Sequence, residues 1–414
     1  MKSKVPFSKG EHSLQRRMGV VAVVLVLTFL LASLAVVFNL FHPSKNANAG
    51  SQLGVYAGSG DGAIFKLDAA NGQQLWRYKT KGNSIPAPVT DVNGMIYVGG
   101  SDGFVYALST TDGKVNWSFQ TQGPVLSSPI VDNGVVYVGS SDGNLYALDA
   151  QKGTPIWHYH AGPATVTVDV HTVVVSNGVI YGSSSDDVAY SYLFALDAKS
   201  GTQLWQTQVK DQNFTAPQVN SGVIYIASSA LEHQGGPDIR DSYAYAYNSN
   251  NGSLIWRSDK VGDFILAAPT VANGIIYLGS QDTFVYALDA KTGHRVWHHN
   301  VGGIIYTPLS IVNGVVYAGV LPSVKEATSR TNDATQPDGY IVALDATKGS
   351  LIWQHTVANY TGTPLVVFSQ VIYVGSSKDD VIHALRITDG SEIWSHHDSV
   401  PVGVYTNAPI TVGP

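Results

Sequence analysis

The chain has no cysteine. That excludes disulfide staples, thiolate metal sites and a cysteine nucleophile, and it leaves the redox compartment open. Charge is sparse as well, since only 13% of the 414 residues are Asp, Glu, Lys or Arg, against the usual quarter of a globular chain. Glutamate is almost missing: Glu11, Glu232, Glu326 and Glu392 are all there is. Lys2, Lys4, Lys9, Arg16 and Arg17 against Glu11 give the first 18 residues +4, so within a net charge of −6 the remainder carries −10. A negative body without basic clusters argues against nucleic acid, whose binding rests on neutralising phosphates. P-loop and HExxH patterns are absent too, which removes the commonest phosphate and zinc-protease chemistries.

What is present is repetition. Gly-x-x-x-Trp pairs Gly72 with Trp76, Gly113 with Trp117, Gly153 with Trp157, Gly201 with Trp205, Gly252 with Trp256, Gly293 with Trp297, Gly349 with Trp353 and Gly390 with Trp394, using every tryptophan in the chain. In phase with it runs a tyrosine: Tyr56, Tyr97, Tyr137, Tyr181, Tyr225, Tyr277, Tyr317 and Tyr373. A period of 40 to 50 residues signals a propeller or a solenoid. The unit is legible at Gly134–Trp157, where β-branched and aromatic runs alternate with Asp-Gly and Lys-Gly turns, the pattern of consecutive antiparallel strands. Each unit parses into four strands, A to D. In the third, A lies around Ser127–Val131, B at Val135–Gly139, C at Asn144–Asp149 and D at Thr154–Tyr159.

The first copy begins at strand B, and after Trp394 the chain ends on 404–412, which matches a lone strand A. The missing piece and the surplus piece coincide. The expectation is an all-β, eight-bladed propeller of four-stranded antiparallel blades over residues 54–414, closed by its C-terminal strand, so that no sheet edge is left open. One large aromatic ring per repeat buries ~150–250 Å², so the tryptophans read as blade-packing residues.

The pattern Ala-Leu-Asp-Ala-x-x-Gly-x-x-x-Trp, as in Ala147 to Trp157 and Ala287 to Trp297, resembles the pyrroloquinoline-quinone-type (PQQ-like) propeller repeat over about residues 54–412. The resemblance implies the eight-bladed fold. It spans quinoprotein dehydrogenases and non-enzymatic BamB-like scaffolds, so by itself it decides no chemistry. This chain departs from the pattern at Ser109, Asn248 and Arg386, where the Asp is replaced, and at Val342 and His383, where the strand-C aromatic is lost. The resemblance to the dehydrogenases would imply PQQ with Ca2+ on the propeller axis, an adjacent cysteine pair and an Asp base. The cysteines are absent, and no calcium-ligand set can be matched, so the BamB-like side is favoured.

Gly19–Phe41 carries no charge. At 1.5 Å per residue it reaches roughly 34 Å, enough for a bilayer core of ~30 Å. The expected layout is a basic cytoplasmic tail at 1–18, a transmembrane helix at 19–41, a flexible linker at 42–53 and the propeller outside the cytoplasm in a single-pass membrane protein. Cleavage of a signal sequence near Ala49, giving a secreted propeller, is the rival reading.

Loop length singles out candidate sites. The B–C turns lengthen at Ser183–Tyr192, Ser228–Tyr243 and Gly319–Tyr340, in blades four, five and seven. The last two hold Glu232, His233, Asp238, Arg240 and Asp241, with Lys325, Glu326, Arg330, Asp333 and Asp338; these are candidates for a binding face, or else solvated loops. The channel rim draws Phe214, Phe264, Tyr306, Tyr360 and Tyr405, with Asp169 and His171 in blade four. The post-tryptophan histidines 158, 160, 298, 299, 396 and 397 lie on outer strands of separated blades, too far apart for one metal ion. The reading is a non-enzymatic scaffold that takes a protein or peptide partner on its B–C face, with no cofactor expected. A quinoprotein dehydrogenase is the alternative, and an extracellular sensor the second.

Overall fold

In a computed structural model the described residues are 53–413 except 60, 83–89, 162–168, 171–172, 186–189, 211, 231–240, 323–337, 359, 361, 377–380 and 398–409. They belong to one compact unit, Gln52–Pro414. The expected tail, transmembrane helix and most of the linker lie outside the described residues. Among those described, no helix is long and apolar enough to cross a membrane.

Eight antiparallel sheets follow one another, each ordered D-C-B-A. In blade three, Ile130–Asp132, Val135–Gly139, Asn144–Asp149 and Pro155–His160 fill the four positions, so A begins three residues later and D one residue later than the sequence suggested. Closure takes the expected form: Ile410–Gly413 is the inner strand of the first sheet, with Ala57 opposite Ile410 and Gly54 opposite Gly413. The chain is thereby tied end to end without a free inner edge.

Strands B and C are buried almost throughout because each blade is covered on both faces by its neighbours, whereas D alternates exposed and half-buried positions at the outer wall. Hydrophobic clusters accordingly run across seams, as where Tyr137, Leu145 and Ala147 of blade three meet Ile180, Phe194 and Leu196 of blade four.

The Gly-x-x-x-Trp marker acts across these seams, and in all eight blades the tryptophan is the packing residue that the sequence suggested. Each Nε1 donates to a carbonyl in the C–D turn of the next blade. Trp76 reaches Thr110 at 3.0 Å, Trp117 reaches Ala150 at 2.9 Å, Trp157 reaches Ala198 at 3.2 Å and Trp205 reaches Ser249 at 2.9 Å. Trp256 then bonds Ala290 at 3.2 Å, Trp297 bonds Ala346 at 3.0 Å and Trp353 bonds Ile387 at 3.2 Å. Trp394 closes the circle on Ala69 of blade one at 3.0 Å. The depth of burial varies between blades. Trp117 is buried, but Trp76, Trp157, Trp205, Trp256, Trp297, Trp353 and Trp394 are half-buried. They lie on outer D strands, where one neighbouring blade covers the ring and solvent reaches the rest of it.

Beneath each ring lies the motif glycine of the following blade. A Cβ on Gly113 would meet Trp76 at 2.6 Å, one on Gly252 would meet Trp205 at 2.5 Å, one on Gly293 would meet Trp256 at 2.6 Å, and one on Gly72 would meet Trp394 at 2.6 Å. Blade eight differs slightly: a Cβ on Gly390 would strike His355 first, at 2.6 Å, and Trp353 next, at 2.8 Å. The strand-B tyrosine of the tryptophan's own blade packs on the indole, with centroids 5.8–6.3 Å apart in all eight blades.

The C–D turns explain the Asp of the repeat. Asp149 Oδ1 accepts the Gln151 and Lys152 amides at 3.0 and 2.8 Å, and Asp289 and Asp345 do the same work in their blades. Where Asp is replaced, Ser109 and Asn248 still accept the amide two residues on.

The A–B hairpins turn on Asn-Gly in blades two, three, four, six and seven, both residues at positive φ (Asn133 48°, Gly134 78°) as a type I′ turn requires. Blade eight makes the same turn with Ser369 and Gln370, at φ 48° and 70°. An L-residue there costs ~1–2 kcal/mol. The double substitution Ser369→Asn with Gln370→Gly is therefore expected to stabilise the protein by about 1 kcal/mol, seen as a raised urea midpoint at constant m. A lower midpoint would contradict the strain.

The blades that break regularity are four, five and seven. Their strand B grows from five residues to seven or eight: Val179–Ser185, Val223–Ala230 and Val315–Pro322. A second inner segment pairs with each extension: Asp169–Val170, Gln212–Phe214 and Gly303–Ile304. Part of what reads in sequence as a longer loop is thus longer ladder.

Candidate binding face

The B–C turns and the D–A connections share one face. Val125, on the connection leaving blade two, donates its amide to Gly100 O of that blade's B–C turn at 3.1 Å, and Ser141 of the next blade's turn donates to Pro124 O at 2.9 Å. On the other face the C–D turn meets the A–B turn, with Ala150 N bonded to Gly134 O at 2.9 Å.

Blades two, three and six close their B–C turns in one way. Asp102, Asp142 and Asp282 each accept the amide two residues on through Oδ1, at 2.9–3.1 Å, and a strand-C tyrosine hydroxyl through Oδ2, at 2.5–2.8 Å. Burial, and then the neighbouring carboxylate, push the Tyr106, Tyr146 and Tyr286 hydroxyls far above their ordinary range. These carboxylates are committed to holding turns. In blade one Asp61 keeps the amide contact, to Ala63 at 2.9 Å, and takes Arg77 as its second partner at 2.9 Å.

Of the residues expected on the binding face, Asp241 and Asp338 are described. Asp241 ends the blade-five insertion and forms an isolated bridge with Asp263 on the connection to blade six. Lys260 ties the two, 2.7 Å from Asp241 and 3.1 Å from Asp263, and these carboxylates hold its ammonium above the usual lysine range. Arg257 lies over the Tyr243 ring at 4.7 Å. Asp338 is exposed. Glu232, His233, Asp238, Arg240, Lys325, Glu326, Arg330 and Asp333 fall outside the described residues, as do His171 and Tyr405.

The aromatic residues expected at the channel rim separate. Phe214 is buried edge-on to Tyr245 and Tyr247, with centroids at 5.7 and 6.3 Å. Tyr360 is buried and donates its hydroxyl to Thr363 O at 2.7 Å. Tyr306 is exposed, and Phe264 is half-buried at φ 44°. Asp169 lies on the inner segment of blade four, opposite Ser185.

Sequence reasoning passed over Lys260, Asp263 and Leu266. The available signal was register. Val125, Ile265 and Ile305 hold equivalent places and are fully buried, and a Cβ on Gly99 or Gly279 would collide with the first and last of them. The residue after each therefore turns outward: Leu126, Leu266 and Tyr306 are 51%, 52% and 37% exposed.

Among the described residues no group of three or more His, Asp or Glu side chains is placed to hold a metal ion. The post-tryptophan histidines pack instead: His298 lies 5.1 Å from Phe284, and His158 6.2 Å from Tyr146.

The family model described as outer membrane protein assembly factor BamB matches residues 60–212, 240–358 and 337–403. Tetrathionate hydrolase of Acidithiobacillus ferrooxidans is 22% identical over 57% of this chain and 59% of its own length. Outer membrane protein assembly factor BamB of Moranella endobia is 29% identical over 49% of this chain and 48% of its own. The chain thus spans between about half and three-fifths of these curated relatives. The crystal structure of BamB from Moraxella catarrhalis superposes with a TM-score of 0.55 at 22% identity, over 66% of this chain and 80% of that one, a likeness of fold. Because the family model covers well over half of the sequence, the chain belongs to the family of outer membrane protein assembly factor BamB.

Proposed function

We propose that the protein is a membrane-anchored, extracytoplasmic scaffold that holds a protein or peptide partner on its B–C face, in the sector of blades five to seven. The observation that carries this reading is the confinement of irregularity to that face. The C–D turns stay short in every blade, while strand B and its following loop lengthen in blades four, five and seven, most in the last two, whose insertions hold the charged residues. Propeller blades need no such extension for packing, so length added on one face serves contact with something else. The relatives named for assembly support a protein partner. Anchoring rests on the apolar run Gly19–Phe41 behind its basic tail.

Replacing 232–241 and 325–338 by the short Ser-Asp-Gly turn of blade three tests the reading in the full chain. Partner recovery from solubilised membranes should be abolished, while the melting temperature moves by no more than a few degrees, because shortening a connection slightly lowers its closure entropy. The intact mass of the membrane-extracted chain should begin at Met1; a start at Gly50 would replace the anchor by a cleaved signal. Undiminished recovery would move the site elsewhere. Dye reduction by the intact protein with Ca2+, quinone and an alcohol would replace the scaffold by the dehydrogenase.

A further inference from the structure

Among the described residues ten that are not glycine have positive φ, and eight of them sit in the two-residue A–B hairpins, where the turn demands it. The other two, Phe264 at 44° and Thr283 at 77°, lie together on the B–C face, at the seam between blades five and six. A bulky aromatic and a β-branched residue are the types least suited to this conformation. In the turns of blades two and three the place of Thr283 is held by Gly103 and Gly143. Backbone strain of this kind collects where contact with a ligand or partner selects the conformation.

Two further features meet the strained seam. Leu266 follows it directly, and Tyr306 holds the same place one seam further on, so two large apolar side chains stand exposed on neighbouring connections between the blade-five and blade-seven insertions. The other exposed large apolar residues, Leu126 apart, are spread along the outer D strands of the blades. Around Leu266 and Tyr306 the charge is acidic. Asp241 and Asp263 flank Lys260 and outnumber it, and Asp282 adds its charge from the adjoining blade-six turn, in a propeller that is negative overall.

We infer that this sector is the docking surface for a cationic polypeptide segment: one apolar side chain seats between Leu266 and Tyr306, and flanking lysines or arginines meet the Asp241 and Asp263 carboxylates beside Lys260. This deepens the scaffold reading and rests on it. An apolar anchor flanked by complementary charge is the usual energetic plan of a protein interface, and the acidic surroundings select the sign of the partner.

The probes are two fluorescent twelve-residue peptides with a central Phe-Leu pair, one flanked by lysines and one by glutamates, titrated into the full chain by anisotropy at physiological salt. The lysine peptide should bind saturably, and the glutamate peptide at least tenfold more weakly. Leu266→Ser with Tyr306→Ser should weaken the lysine peptide at least tenfold, and Asp263→Asn several-fold. Leu126→Ser, across the ring from Tyr306, should leave it unchanged. Equal binding of both peptides, equal loss in Leu126→Ser, or no saturable binding would overturn the inference. The two readings fail separately. Membrane-partner recovery lost on loop replacement but kept by the Leu266/Tyr306 variant leaves the scaffold standing and removes this surface.

Discussion

A chain ending at His397 is expected to melt roughly 10 °C or more below the full-length protein, or to aggregate on purification. The deletion removes Ile410–Gly413, the strand that pairs with Gly54–Ala57 as the inner member of blade one. That strand also lies beside the inner strands of blades two and eight, so two seams lose a wall along with the ladder. A β-edge exposed beside buried Val55 and Ala57 invites pairing with another molecule. Adding a synthetic peptide of residues 403–414 should restore part of the lost melting temperature, because the empty position offers four registered backbone partners. Thermal unfolding followed by circular dichroism measures both. An unchanged transition in the truncated chain would sink closure as a stabilising device.

The second large effect concerns the glycines beneath the tryptophans. Gly153 and Gly134 belong to the same blade and have nearly the same backbone, φ 67° and 78°. A Cβ on Gly134 meets nothing within 4 Å, whereas one on Gly153 meets the Trp117 ring at 2.5 Å. Gly134→Ala should therefore cost only the left-handed strain, ~1–2 kcal/mol. Gly153→Ala adds the displacement of a packed indole and its bond to Ala150 O, for a total of ~2–5 kcal/mol. Urea denaturation of the two variants isolates the seam contribution, since the backbone cost cancels. Equal losses would mean that the ring yields freely and that the motif is a turn signal only. The same comparison at Gly72, which lies under Trp394, reports on the seam that closes the circle.

Reading the repeat as one unit per blade left its logic half visible. Gly and Trp appear four residues apart, which suggests partners within one hairpin. In the folded ring each glycine is instead the floor for the tryptophan of the blade before it, and each indole reaches forward to that blade's C–D turn. Spacing along a strand carries no information about which neighbour a side chain leans toward, because that depends on the rotation between successive blades. The same ignorance of neighbours hid the partial exposure of Trp205, Trp256 and Trp353, since a ring on the outermost strand is covered from one side only. The Asp-Gly turn between strands B and C was different: Asp142 accepts the amide two residues on, so local chemistry sufficed.

The candidate face shows the same division. Loop length could be counted, and it pointed to blades five and seven; the charged residues of those insertions could be named. Phe214, Phe264, Tyr306 and Tyr360 looked alike, as aromatics before an inner strand. The register of each connection then buried Phe214 and Tyr360, bent Phe264 and exposed Tyr306. Lys260 acquired meaning only when Asp241 and Asp263 were brought to either side of it.

Eight in-phase markers, a first copy without its strand A and a last strand without a blade determined the number of blades and the way the ring closes, because a sheet tolerates no missing partner. Which side chains face solvent on the B–C surface, which carboxylates are committed to turns and where the backbone is strained were decided by tertiary structure alone. Those properties belong to seams between blades, and a seam joins residues some forty positions apart that no local pattern brings together.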